Sequence, residues 1–182
     1  MSVQFEIVAL TSQPQVITDL SGLLIGTVKN GDSVSFMYPL APQIAETFWK
    51  TSLAAADRSE RVILGAYKDG ALIGTVTLLL DFPPNQPHRA EIAKLMTRVS
   101  YRGQGVATSL MMEAEKIAVA RGKTLLTLDT AVEGGAASLY EKLGFKETGV
   151  IPDFALKPYG GLTGTIIYWK RIGGAASTPS LD

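Results

Sequence analysis

The chain has 182 residues, 46 % of them hydrophobic, which suits one domain with a single sizeable core. Lys plus Arg and Asp plus Glu each total 17 and no block of like charge stands out, so nucleic acid has no electrostatic reason to bind. The absence of cysteine excludes a disulfide framework, thiol catalysis and thiolate metal sites, while a lone His88 without a Gly-x-Ser-x-Gly elbow disfavours triad hydrolysis and histidine-based metal chemistry.

In chain order, the first residues carry no basic segment followed by an apolar run, and no apolar stretch is long enough to span a bilayer. The expectation is a soluble, cytoplasmic protein with no membrane partner. Val16, Ile17, Leu20, Leu23, Leu24 and Val28 recur at helical spacing, and Pro42 opens a second helical pattern through Ile44, Phe48, Trp49 and Leu53. Asn30 to Pro39, rich in turn formers and aromatics, reads as the loop between them. Arg61 to Tyr67 and Leu72 to Asp81 read as strands, joined through the hairpin turn Lys68-Asp69-Gly70. After the break Phe82-Pro83-Pro84-Asn85-Gln86-Pro87 comes a third strand, Ala90 to Val99, completing an antiparallel meander.

Arg102-Gly103-Gln104-Gly105-Val106-Ala107 follows at once and opens a helix running through Leu110, Ala114, Ile117 and Val119 to Gly122. Glycines let backbone N–H groups turn toward an anion, and the positive end of the helix dipole points at the same place. Such a loop seats a pyrophosphate, although glycines also serve plain turns. Leu125 to Leu128 is a buried strand able to run parallel to the preceding one, because a helix-length crossover separates them. Gly135 to Leu143 is a further helix, with Phe145 to Val150 and Gly164 to Lys170 as the last strands. We expect one domain over residues 1–172 and a flexible tail over 173–182.

The strand Leu95-Met96-Thr97-Arg98-Val99, the loop Arg102 to Ala107 and the block Leu139-Tyr140-Glu141-Lys142-Leu143-Gly144-Phe145 resemble the GCN5-related N-acetyltransferases (GNAT) in order and spacing. In that family the loop reads Arg or Gln, two residues, Gly, one residue, Gly or Ala; Arg102, Gly105 and Ala107 fill it. The resemblance implies a mixed α/β fold: a mostly antiparallel sheet, split between its parallel fourth and fifth strands and flanked by about four helices. Arg89-Ala90-Glu91, Lys94-Leu95-Met96, Leu125-Leu126, Leu128-Asp129-Thr130, Tyr140, Gly149-Val150-Ile151-Pro152 and Ile166-Ile167-Tyr168-Trp169-Lys170 are similar to the tabtoxin resistance acetyltransferase group. That likeness favours a small-molecule amine acceptor, a β-lactam dipeptide toxin or an amino acid among the options, over a histone tail. Dimers are common in families of this kind, so a homodimer is a further expectation.

What the resemblance implies for the site follows residue by residue. Acetyl-CoA, the cosubstrate, would rest its pyrophosphate on the backbone of Gly103, Gln104, Gly105, Val106, Ala107 and Thr108, beside Arg102, and its pantetheine amides on Leu95, Met96 and Thr97. Tyr140 would protonate the departing thiolate, a task for which a phenol of pKa near 10 suits better than a carboxyl. Its bland reading is a helix tyrosine packed on the sheet. Glu91 and Asp129 are alternative bases, directly or through water; an ion pair with Arg89 or Lys94 is the plain account of Glu91, and a turn cap that of Asp129. Strand alternation places Glu91 on the face of Ala93 and Leu95 unless a bulge intervenes. Phe36 and Tyr38 are the acceptor-pocket candidates, Trp49 is assigned to the core, and His88 to an exposed loop. Glu133 stands where many family members carry Asn seven residues before the tyrosine, and backbone groups of Gly134-Gly135 are the expected substitute.

Two other classes compete. A dinucleotide-binding oxidoreductase accounts for Gly103-x-Gly105 between a strand and a helix, but Thr108 stands where its third glycine belongs and the Tyr140 block has no role in it. A catalytically silent acyl-CoA-binding sensor would keep the loop and dispense with Tyr140.

Overall fold

A computed structural model describes residues 4–173. The expected tail over 173–182 therefore lies, beyond its first residue, outside the described residues. Twelve elements fold around one sheet: β1 (Glu6–Ala9), α1 (Pro14–Lys29), α2 (Pro42–Asp57), β2 (Arg61–Lys68), β3 (Ala71–Leu79), β4 (Arg89–Thr97), a short 3-10 turn (Val99–Tyr101), α3 (Val106–Ala120), β5 (Leu125–Ala131), α4 (Ala137–Lys142), β6 (Lys146–Leu156) and β7 (Leu162–Arg171). The seven strands are ordered β1-β2-β3-β4-β5-β7-β6, antiparallel throughout except for β4 beside β5. The mixed α/β architecture expected from the resemblance, including its parallel split, is the architecture found.

Both long N-terminal helices start at a proline, whose fixed φ and missing N–H suit the first turn. Each buries one stripe: Leu20, Leu23, Leu24 and Val28 from α1, and Ala45, Trp49 and Leu53 from α2. Together with Leu10, Ile63, Leu72 and Met96 they fill the layer on one face of the sheet. The opposite face is covered by α3 and α4, where Leu110, Met111, Ala114 and Tyr140 pack on Ile73, Val76, Ile92, Leu126 and Leu128. Complete burial of side chains such as Trp49, Leu24 and Leu110 contributes about 1.5–3 kcal/mol each. Gly74 is where α3 meets the sheet most closely: a Cβ there would lie 2.8 Å from Val106 Cγ1, so this helix start can sit on β3 only over a glycine.

Most strand ends shift by one to three residues, β5 running on to Ala131, and the larger departures from expectation lie elsewhere. Strand β1, short and at the sheet edge, escapes the reading because four residues are too few to show a period. The hairpin β6–β7 is longer than expected, since β6 runs on to Leu156 through Pro152 and Asp153, which a register shift between Ile151 and Ala155 accommodates. Helix α4 is shorter, because Gly134 and Gly135 belong to the preceding turn. The β2–β3 turn is as read, with positive φ at both Asp69 and Gly70.

Candidate active site

Strands β4 and β5 pair over three positions only, Arg89 with Leu125, Ala90 with Leu126 and Glu91 with Thr127. Beyond Glu91 they part. The cause on the β4 side is a bulge: Thr75 faces Met96 while Thr77 faces Ala93, so an extra residue is inserted and Lys94 adopts φ +51°. On the other side, β5 keeps its full register with β7 from Leu125 to Ala131. Between the diverging strands lies a cavity of about 820 Å³.

The bulge also settles which way the β4 side chains point. Ile92 packs with the α3 layer and Met96 with the α1–α2 layer, so an interval of four residues has crossed the sheet. Leu95 joins the Ile92 layer, and Glu91 does not share its face, as the bulge exception to simple alternation requires.

At one end of the cavity, the loop before α3 turns through Gly103 (φ +71°) and Gly105 (φ +84°), conformations open to glycine at little cost. None of the backbone N–H groups from Gly103 to Thr108 has a backbone acceptor, and no side chain caps α3. Six successive donors at the positive end of a fifteen-residue helix form an anion seat suited to a pyrophosphate. Gly103 and Ala107 line the cavity directly. The Gln104 side chain instead braces the loop, donating to the Ser100 carbonyl at 2.9 Å. Arg102 pairs with Asp32 and donates to the Thr97 carbonyl, which ties the α1–α2 loop to the anion seat. Leu95, Met96 and Thr97 line the wall, and the buried Thr97 hydroxyl has no hydrogen-bond partner among the described residues. Backbone and an orphaned hydroxyl along an unpaired strand edge fit the amide groups of a pantetheine arm.

Tyr140, on α4, lines the cavity. Its ring packs against Phe145 and Tyr168, so the residue is buried. Burial first, then the negative charge of Asp129, pushes its pKa up to about 12. The phenol is therefore neutral and protonated across the physiological range. Asp129 lies across the cavity wall on β5, its Oδ2 accepting a hydrogen bond from Thr165 Oγ1 at 2.9 Å.

Glu91 is placed differently. Its carboxylate takes an ion pair from Arg89 at 3.0 Å, the same guanidinium donates to Thr127 Oγ1, and Glu91 is not among the residues lining the cavity. It belongs to the closed part of the strand pair, which is the plain account of it. Phe36 is likewise absent from the lining, half-buried edge-on against Phe48 at 5.2 Å. Tyr38 stacks on Tyr159 at 4.6 Å on the outside of the molecule. From the same loop, Ser33, Val34, Ser35 and Met37 line the cavity instead, together with Phe154 and Leu156 of β6. Alternation through the loop explains the swap, since Phe36 turns to the α2 core while its neighbours turn to the cavity. Trp49 is fully buried and His88 exposed, both as read.

Lys94 also lines the cavity, a placement not evident from sequence, where the residue reads as a partner for Glu91. Burial lowers its pKa, and Asp129 opposes that shift in part. Its position between apolar Ala93 and Leu95, inside a strand, was the available signal. Glu133 is not among the lining residues and pairs with Lys157 at 3.1 Å, while Gly134, Gly135 and Ala136 line the cavity.

No helix among the described residues is long and apolar enough to cross a membrane, and no group of three or more His, Cys, Asp or Glu among them could hold a metal ion. Residues 31–145 match the model of the Acetyltransferase (GNAT) family. N-alpha-acetyltransferase 30 of Schizosaccharomyces pombe is 37 % identical over 81 residues, covering 44 % of this chain and 54 % of that protein. The chain spans about half the length, or less, of the curated relatives it matches. Among solved structures, an N-acetyltransferase from Staphylococcus aureus superposes with a TM-score of 0.76 at 18 % identity, over 92 % of this chain and 99 % of that one. A Salmonella typhimurium structure with its cofactor acetyl-CoA gives a TM-score of 0.72 at 12 % identity, over 97 % and 99 % of the two chains. With a family model covering residues 31–145 and this fold around it, the chain belongs to the GNAT acetyltransferase family.

Proposed function

We propose that this protein is an acetyl-CoA-dependent N-acetyltransferase whose acceptor is the amine of a small molecule, such as an amino acid or a β-lactam dipeptide toxin. The observation that carries the reading is the single cavity in which an anion seat, an unpaired strand edge, a neutral phenol and a carboxylate meet. Acetyl-CoA supplies a thioester carbonyl and a thiolate leaving group. Gly103 to Thr108 bind its pyrophosphate, with Arg102 bracing the loop, while Leu95, Met96 and Thr97 orient its pantetheine arm.

Asp129 accepts a proton from the acceptor ammonium and frees the nitrogen lone pair for direct attack. The new C–N bond forms, the C–S bond breaks, and Tyr140 gives its proton to the departing thiolate; the second proton of the former ammonium, made acidic by acylation, leaves the nitrogen and restores the Tyr140 phenol, while Asp129 releases the first to solvent. Because its pKa is raised, Tyr140 enters each turnover protonated. No cysteine exists to carry an acyl-enzyme, in keeping with a ternary complex. Glu91 has no part in this scheme, since Arg89 already holds its carboxylate outside the cavity.

Thiol release with a panel of amines tests the proposal, run on the wild type and on Tyr140→Phe. Turnover in the wild type and a kcat about 10²-fold lower in the variant, at unchanged acetyl-CoA affinity, is the expected result. Equal kcat values remove Tyr140 as the acid. Acetyl-CoA binding with no thiol release from any amine would favour the silent acyl-CoA-binding module instead.

A further inference from the structure

Among the charged residues of the cavity wall, Asp32 and Arg102 neutralise each other and Asp129 has its place as the base. Lys94 is left over. Its Nζ donates to Ser35 Oγ at 3.1 Å and lies 5.8 Å from the centre of the Phe48 ring, and among the described residues no carboxylate forms an ion pair with it. A half-buried ammonium whose direct partners are a hydroxyl and a ring, with Asp129 acting on it only through space, is under-compensated, because burial of a charge costs free energy that a paired counter-ion would offset. The residue is also held at the bulge with φ +51°, a left-handed conformation that strains a non-glycine residue and marks sites where direction matters. The same bulge opens the cleft, so the device that parts the strands also aims this cation into it.

Resting on the acetyltransferase reading above, we infer that the acetyl acceptor carries a carboxylate that pairs with Lys94, so that one small molecule spans the cavity with its amine at Asp129 and its acid at Lys94. The acceptor class is then an amino acid or a compound with that head group, rather than a polyamine or a purely basic drug. A polycation would meet Lys94 as a like charge and leave its own second amine unpaired.

The experiment compares kcat/KM for common α-amino acids with that for their carboxamides, in the wild type, Lys94→Asn and Lys94→Arg. Asn suits the left-handed backbone while removing the charge, and Arg keeps the charge. The wild type should favour the acids over the amides by about tenfold or more, through KM. Lys94→Asn should bring that ratio close to one and Lys94→Arg should restore most of it. Titration with acetyl-CoA, expected to give a similar Kd in all three proteins, separates loss of the acceptor contact from loss of the fold. Turnover without preference for the acids, or a preference that survives in Lys94→Asn, overturns the assignment of Lys94 and leaves the acetyltransferase reading standing. Failure of the wild type to bind acetyl-CoA overturns both.

Discussion

Two stretches of the β4–β5 pair, a few residues apart, carry a carboxylate each. Where the strands are closed, Glu91 sits in register with Thr127 and its charge is spent on Arg89. Where they part, Asp129 faces an open cavity, held by the Thr165 hydroxyl and close enough for its charge to act on both Tyr140 and Lys94. Both are strand carboxylates, so the side of the divergence on which each falls decides whether it is paired or faces the cavity. The bulge at Lys94 therefore sets which residues of β4 face the cavity.

The largest effect is expected where that divergence is used. Asp129→Asn should lower kcat about 10²-fold, read by thiol release at saturating acetyl-CoA, whereas Glu91→Gln should lose less than tenfold. Equal losses in the two variants would break the contrast. Next comes the anion seat: Gly105→Val places a β-branched residue at φ +84° and should raise the acetyl-CoA Kd about tenfold by calorimetry, with little change in kcat at saturation. Arg102→Ala frees Asp32 and loosens the α1–α2 loop, and a rise of a fewfold in KM for the acceptor is expected.

The smallest effect is a pH dependence. The folded-state pKa of Tyr140 is raised, so its contribution to stability is complete below its ordinary value near pH 10 and is lost as pH rises toward about 12. Denaturant midpoints followed across that window should fall more steeply for the wild type than for Tyr140→Phe. By the same sign, the rate should show no descending limb from the phenol below about pH 10. A limb at neutral pH assigned to Tyr140 would show that the residue is not buried as described.

The fold was legible because its signals are long or local. Val16 to Val28 and the α3 stripe show helical periods over several turns, Lys68-Asp69-Gly70 names its hairpin, and the glycine loop with the Tyr140 block set the order of elements. What escaped depends on register. Whether Glu91 or Lys94 faces the cavity turns on one inserted residue opposite Val76, between the Thr75–Met96 and Thr77–Ala93 pairs, and no single-strand pattern announces it. Phe36 and Tyr38 are aromatic and lie in the right loop, but packing on Phe48 and Tyr159 takes them, and smaller neighbours line the cavity. Phe154 and Leu156 were beyond reach because Pro152 reads as a strand end, while the register shift lets β6 continue past it.

The most direct test of the central claim, that the parting of β4 and β5 is an acetyl-CoA seat, is isothermal titration of the purified protein with acetyl-CoA, CoA and NADH in turn. The account predicts heat from both CoA species, none from NADH, and a weaker acetyl-CoA response in Gly105→Val. Heat from NADH with no response to either CoA species would contradict it and return the glycine loop to a dinucleotide-binding role.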